Sequence, residues 1–300
     1  MKLVRFERDG KTAIGAVRGE EIVDLTRSLP ATPAADPVLT RAAVQGSMRA
    51  FLEIGEPALA VARRALESEA AAIRLSDAHL LAPVGDPEKI VCVGQNYRDH
   101  CEEQNQPIPE RAILFAKYPS AIIGPGAHIE LPSISRQVDY EAELAFVIGR
   151  RGRHIPEQRA DEHIAGYMCL NDVSARDIQF ADKQWVRGKT FDTFAPTGPW
   201  LVTPEEVGDP QSLDISLTLN GNEMQRSNTR NLVFGVRFLV AYISAVVTLR
   251  PGDIITTGTP GGVGVFRSPQ VFLKPGDEVS VTIQRIGTLT NTVVEAGAAG

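Results

Sequence analysis

The chain has 300 residues, 43% hydrophobic and 23% charged, with a formal net charge of −6. That is the make-up of a soluble globular protein of one large or two ordinary domains, and its acidic balance gives no reason to expect nucleic acid as a partner. Its three cysteines form no CxxC pair, which argues against a disulfide framework or a zinc site and fits a reducing cytoplasm.

The opening MKLVRFERDG has no apolar signal core behind its charges, so export is not expected. Residues 1–25 read as short strands, MKLVRF, TAIGAV and EIVDL, separated by turn signals and followed by a Pro/Ala-rich link. Helical spacing of Ala and Leu then runs from about Ala35 to Ile73, up to the breaker-rich LSDAHLLAPVGDPEKI. The pattern predicts a small N-terminal α+β domain over 1–75 and a larger domain over 76–300. In the larger one, short β-branched runs alternate with Gly/Pro turns, among them KIVCVG, LAFVIG, LDISLTLNGN and DIITTGTPGG. Many strands with few helices favour a β-rich α+β fold over a doubly wound one. LVFGVRFLVAYISAVVTL, Leu232–Leu249, holds Arg237 and ends in Arg-Pro-Gly, so it reads as a buried core helix and not a membrane span.

Five stretches bear on chemistry. In VDYEAELAFVIG the period of a strand puts Asp139, Glu141 and Glu143 on one face and Tyr140, Ala142, Leu144, Phe146 and Ile148 on the other. Carboxylates about 6 Å apart repel by roughly 3 kcal/mol at an effective dielectric of 20, so the acidic face is either solvated or holds a cation. Asp172 follows an apolar run, where a strand delivers a carboxylate to a pocket mouth. Oxygen anions without nearby His or Cys suit a hard divalent ion, Mg²⁺, Mn²⁺ or Ca²⁺. His100 and Glu103, three apart, share one side of a helix, either as a surface pair or as a carboxylate-oriented general base. RGKT at 187–190 lacks the first glycine of a phosphate loop, and TGTPGGVG at 257–264 supports only a tight turn near a ligand.

Taken together, VGQNYRDHCEE, FAKYPS, VDYEAELAFVIG, GYMCLNDVSARDIQ, GKTFDTFAPTGP, GDIITTGTPGGVG and IGTLTN resemble, in order and across residues 76–293, the fumarylacetoacetate hydrolase family. The first 75 residues are similar to the small extra domain that many bacterial members carry. The resemblance implies the family's mixed β-roll for the catalytic domain over 76–300, usually in a homodimer. Carried over position by position, it implies that Glu141, Glu143 and Asp172 bind Mg²⁺ or Mn²⁺, with Asp139 behind them or in solvent. It further implies that His100 and Glu103 form the water-activating dyad and that Lys189 stabilises negative charge on the substrate. Arg176 and Gln179 would hold substrate oxygens, Thr259 would meet the carboxylate, and Lys117, a basic residue near the pocket, would also bind the substrate.

Fumarylacetoacetate hydrolase proper carries another acidic ligand seven residues before the dyad histidine, where this chain has Val93, so the likeness is to short-chain members. The implied activity is metal-dependent hydrolysis of a C–C bond in a 2-oxo acid such as an acylpyruvate or fumarylpyruvate. A decarboxylase or isomerase of a muconate-derived 2-oxo dicarboxylic acid, an oxaloacetate decarboxylase and a ureidoglycolate lyase share the same metal residues and stay open. From another class, so does a metal- or sugar-acid-binding protein without turnover. The segment CEEQNQPIPERAILF reads as a lid over the substrate.

Overall fold

β-branched and aromatic residues fit a pleated surface, and the runs bounded by Gly and Pro do become strands. The computed structural model describes residues 1–8, 10–25, 46–70 and 72–297. Strands β1 (Lys2–Arg8), β2 (Lys11–Arg18) and β3 (Glu21–Asp24) are followed by helices α1 (Met48–Ile54) and α2 (Glu56–Glu67). Then come β4 (Ala72–Arg74), β5 (His79–Leu81), β6 (Ile90–Gly94), helix α3 (Arg98–Glu103), β7 (Ile113–Lys117), β8 (Ile122–Ile123) and β9 (His128–Leu131). The centre of the chain supplies β10 (Val138–Asp139), β11 (Ala142–Ile148), β12 (Ile164–Asn171), β13 (Ser174–Ala175), helices α4 (Arg176–Ala181) and α5 (Val186–Lys189), and β14 (Ala195–Val202). The remainder is α6 (Pro204–Val207), β15 (Asp214–Leu219), β16 (Asn222–Asn228), α7 (Val236–Ser244), β17 (Ile254–Thr256), β18 (Glu278–Ile283) and β19 (Gly287–Glu295).

A 12-stranded sheet runs β4-β3-β2-β1-β14-β12-β11-β17-β6-β7, with β5 also on β1 and β8 also on β14. A 5-stranded sheet, β16-β15-β18-β19-β9, faces it, and β10 pairs with β13 in a separate ribbon. Antiparallel pairs dominate, and β17 with β6 is one of the parallel exceptions. The architecture is mixed α+β and rich in sheet.

Both faces of β11 are covered. Leu144, Phe146 and Ile148 pack with Ile215, Leu217, Val279 and Val281 of the smaller sheet. Ala145 and Val147 pack under Phe51, Leu52, Ala58 and Val61 of α1 and α2. The face that carries Glu143 at its end is therefore the one that α1 and α2 roof. Helix α2 buries Ala58, Val61, Ala62 and Ala65, the i, i+3, i+4, i+7 stripe of an amphipathic helix. β1 enters the large sheet beside β14, with Leu3 opposite Leu201, so strand ladder and core both run across residue 75.

Three expectations change in detail. The helical stretch expected over 35–73 is two helices broken at Gly55, whose φ of 74° suits glycine. Its end, Ala72–Arg74, is instead a strand, because β3 offers Glu21–Val23 as a pairing edge; its beginning, through residue 45, lies outside the described residues, as does the link after residue 25. The core helix expected over 232–249 is only Val236–Ser244, half-buried, with Arg237 at its surface 2.6 Å from Asp161. Among the described residues no helix is long and apolar enough to cross a membrane.

Candidate active site

The antiparallel ladder sets Ala142 opposite Asn171, which brings the start of β11 and the end of β12 to one sheet end. The strand expected over 138–149 is interrupted at Tyr140–Glu141 because side chains replace the ladder there. Asn171 Oδ1 accepts from the Glu141 N–H (2.9 Å), and Gln225 Oε1 accepts from the Ala142 N–H (2.8 Å). Glu141, Glu143 and Asp172 then offer one carboxylate oxygen each, all within 4.8 Å of one another. All three are buried, so neither strand face is solvated.

Buried charge needs a partner. Lys189 Nζ lies 2.7 Å from Glu141 Oε2 and 2.9 Å from Asp172 Oδ2, and Arg176 Nη1 lies 2.7 Å from Glu141 Oε1. Burial alone would raise the Glu141 pKa, but the Lys189 and Arg176 charges outweigh it and hold it at about 2. Glu143 differs. Gly258 N–H donates to its Oε2 (2.8 Å), but no Lys or Arg pairs with it among the described residues. Burial, then repulsion by Asp172 and Glu141, pushes its carboxyl well above the ordinary range. Two neutralised carboxylates and one without a counter-charge fit a divalent cation, and an all-oxygen donor set fits Mg²⁺ or Mn²⁺ better than zinc.

His100, on α3, places Nδ1 3.1 Å from Glu103 Oε2. An ionised carboxylate only accepts, so Nδ1 carries the proton and Nε2 is left as the basic atom. Glu103 is fixed in turn by the Gly262 N–H at 2.8 Å, within the glycine-rich turn, where Gly258 and Gly262 have φ of 88° and 104°. The same turn hangs on Asn96, whose Nδ2 donates to Thr257 O (2.8 Å).

His100, Glu141, Glu143, Arg176, Gln179, Lys189 and Thr259 line one cavity of about 210 Å³. Arg176 Nη2 is buried without a partner, a donor left for a ligand. Gln179 Oε1 accepts from Arg176 Nη1 (3.0 Å), which frees its amide N–H groups. Gln104 and Gln106 of the expected lid also face this cavity, whereas its Ile113–Phe115 end belongs to β7. A larger hollow of about 700 Å³ between α1–α2 and Arg150–Arg151 holds no such cluster, and its Arg150–Glu162 pair (3.4 Å) is solvent-exposed.

One expectation is corrected, and one alternative is decided. Lys117 does not reach the cavity: its ammonium lies behind Asp172, 2.6 Å from Oδ1, and its other donors go to Val173 O (3.1 Å) and Lys189 O. All three of its N–H groups are spent on protein acceptors. Asp139 is not solvated; it accepts from Arg176 Nε (2.9 Å), Gly264 N–H (2.8 Å) and Val265 N–H (3.0 Å), and so aims Arg176. Asn96, Asn171 and Gln225 escape sequence reasoning. Asn171 has its place beside Asp172 as a signal, while Gln225 sits in a polar strand, NEMQRSN, with none.

Residues 89–294 match the profile described as fumarylacetoacetate (FAA) hydrolase C-terminal. The chain is 46% identical to a mitochondrial oxaloacetate tautomerase of Xenopus laevis over 98% of its own length and 90% of that protein's. A fumarylacetoacetate hydrolase from Exiguobacterium antarcticum superposes with a TM-score of 0.83 at 36% identity, covering 98% of this chain and 99% of the other. Maleylpyruvate hydrolase from Sphingobium sp. SYK-6, in complex with manganese(II) and pyruvate, does so with a TM-score of 0.80 at 34% identity, again over 98% and 99%.

Proposed function

The chain belongs to the fumarylacetoacetate hydrolase family, and on that premise we propose that it interconverts the keto and enol forms of a short 2-oxo dicarboxylic acid of the oxaloacetate type. The observation that carries this reading is one basic imidazole nitrogen, fixed by Glu103, in the same cavity of about 210 Å³ as Glu141 and Glu143, with Asp172 buried beside them. That volume lies below the ~300–1,000 Å³ of sites for drug-sized ligands and favours a small acid over a long muconate derivative. The Xenopus relative, named for oxaloacetate tautomerisation, supports the same choice.

A divalent cation on Glu141, Glu143 and Asp172 would, when bound, lower the energy of negative charge developing on the 2-oxo oxygen. His100 Nε2 accepts the C3 proton as the C2–C3 double bond forms. The imidazolium then gives that proton to the 2-oxo oxygen; in the reverse direction the same nitrogen takes the enol O–H proton and delivers it to C3. Glu103 stabilises that imidazolium and keeps Nδ1 protonated. Arg176 Nη2 and the third N–H of Lys189 hold substrate oxygens, and burial excludes water from the exchange.

A second reading, hydrolysis of an acylpyruvate, is favoured by the likeness to maleylpyruvate hydrolase, with the same imidazole activating water. The test uses chelator-stripped protein with and without Mg²⁺ or Mn²⁺, following the enol's ultraviolet absorbance and the products by mass. Metal-dependent decay of the enol with oxaloacetate's mass intact supports tautomerisation. Pyruvate plus a carboxylic acid from an acylpyruvate supports hydrolysis, and pyruvate plus CO₂ from oxaloacetate a decarboxylase. Metal binding without any product would leave a binding protein.

A further inference from the structure

Gln225, on β16, is 1% exposed on a strand whose neighbour Arg226 faces solvent. Its amide joins three segments. Oε1 accepts from the Ala142 N–H at 2.8 Å, and Nε2 donates to Pro260 O and to Thr259 Oγ1, each at 2.8 Å. The two backbone groups settle which end of the amide is which, because an N–H only donates and a carbonyl only accepts. An N–H donor therefore faces Thr259, whose hydroxyl oxygen is the acceptor there, and its own proton must point elsewhere. No other protein partner takes that proton among the described residues, and Thr259 lines the cavity beside Glu141 and His100.

We infer that Gln225 is a positioning residue that makes Thr259 a hydrogen-bond donor into the cavity, so that this wall selects an acceptor such as a carboxylate oxygen. The inference rests on the reading of the cavity as a 2-oxo acid site. It also explains the third bond: Ala142 lies between Glu141 and Glu143, so one buried amide holds the hydroxyl donor at a set distance from the carboxylate strand.

The test is a calorimetric titration of pyruvate into the Mn²⁺-loaded full chain, as wild type, Gln225→Met, Thr259→Val and the double variant. A hydrogen bond to a charged group sets the scale, so each single variant should bind pyruvate roughly tenfold more weakly. The double variant should be no weaker than Thr259→Val to within about twofold, the non-additivity of residues acting through one contact, and all four should bind Mn²⁺ alike. If Gln225→Met weakens pyruvate equally in both backgrounds, or weakens Mn²⁺ in parallel, Gln225 acts on the strand and the inference fails. Unchanged pyruvate binding in Gln225→Met overturns it alone, whereas wild type that binds Mn²⁺ but no pyruvate overturns the 2-oxo acid reading with it. Should Gln225→Met not fold, Gln225→Glu keeps an acceptor for the Ala142 N–H, and the Thr259→Val background isolates the effect of its charge.

Discussion

Replacing Glu143 by Gln should stabilise the metal-free protein and destabilise the metal-loaded one. The ligand oxygens of Glu143, Glu141 and Asp172 lie within 4.8 Å of one another. At that separation each ionised pair repels by about 3.5 kcal/mol at an effective dielectric of about 20. Without a cation Glu143 escapes by holding its proton, consistent with its raised pKa. Folding at pH 7 must then protonate a group that is ionised when unfolded, at a cost of at most about 3.7 kcal/mol, from about 1.36 kcal/mol per unit between a pKa of about 4.3 and pH 7. The folded state binds the extra proton, so metal-free wild type loses stability as pH rises above the unfolded value, and the Gln variant does not. The variant's advantage should therefore be near zero at pH 4 and reach roughly 5–10 °C in Tm at pH 7. With Mn²⁺ at about 1,000 times its Kd the wild type gains about 4.1 kcal/mol, more than that cost, which the variant largely forgoes, and the order reverses. Thermal unfolding of chelator-treated protein at both pH values, with and without Mn²⁺, reads all of this. A metal-free Gln variant that melts below wild type at pH 7 would mean that Glu143 is held by protein contacts and not repelled, and the cation argument would lose its footing.

His100→Ala should leave Mn²⁺ affinity within about threefold while kcat falls by roughly 10²–10⁴, the range for a lost general base, checked by calorimetry beside the enol assay. Lys117→Met takes one of two counter-charges from the buried Asp172 carboxylate and leaves only Lys189, and urea unfolding should report a loss of up to about 3–5 kcal/mol; a change in KM at unaltered stability would instead return Lys117 to the cavity. In Gly264→Ala the new Cβ would overlap Val271 O and come within 2.6 Å of Asp139 Oδ1. It should cost about 1–3 kcal/mol and weaken pyruvate binding, because Asp139 would lose its hold on Arg176, and a Tm and a titration on one sample check both.

Local spacing alone determined a good deal here. The strand period placed Glu141 and Glu143 on one face, the three-residue step put His100 and Glu103 on one helix side, and the β-branched runs with their Gly/Pro turns marked an α+β chain rich in strands. Such patterns are legible because they depend on neighbours within one turn or one pleat. What neutralises the carboxylates was not legible. Lys189 reaches Glu141 across 48 residues, Lys117 reaches Asp172 across 55, and Gln225 reaches Ala142 across 83. Those partners are set by the register of β11 against β12 and by how β16 and the glycine turn pack over the sheet end. Lys117 shows the difference: its basic character was plain from the sequence, but only the tertiary structure decided that all three of its donors are spent behind Asp172. For Asp139 the sequence left open a place behind the ligands or in solvent, and three-dimensional packing made it the anchor of Arg176, because a buried charge must find its counter-charge wherever the fold has placed it.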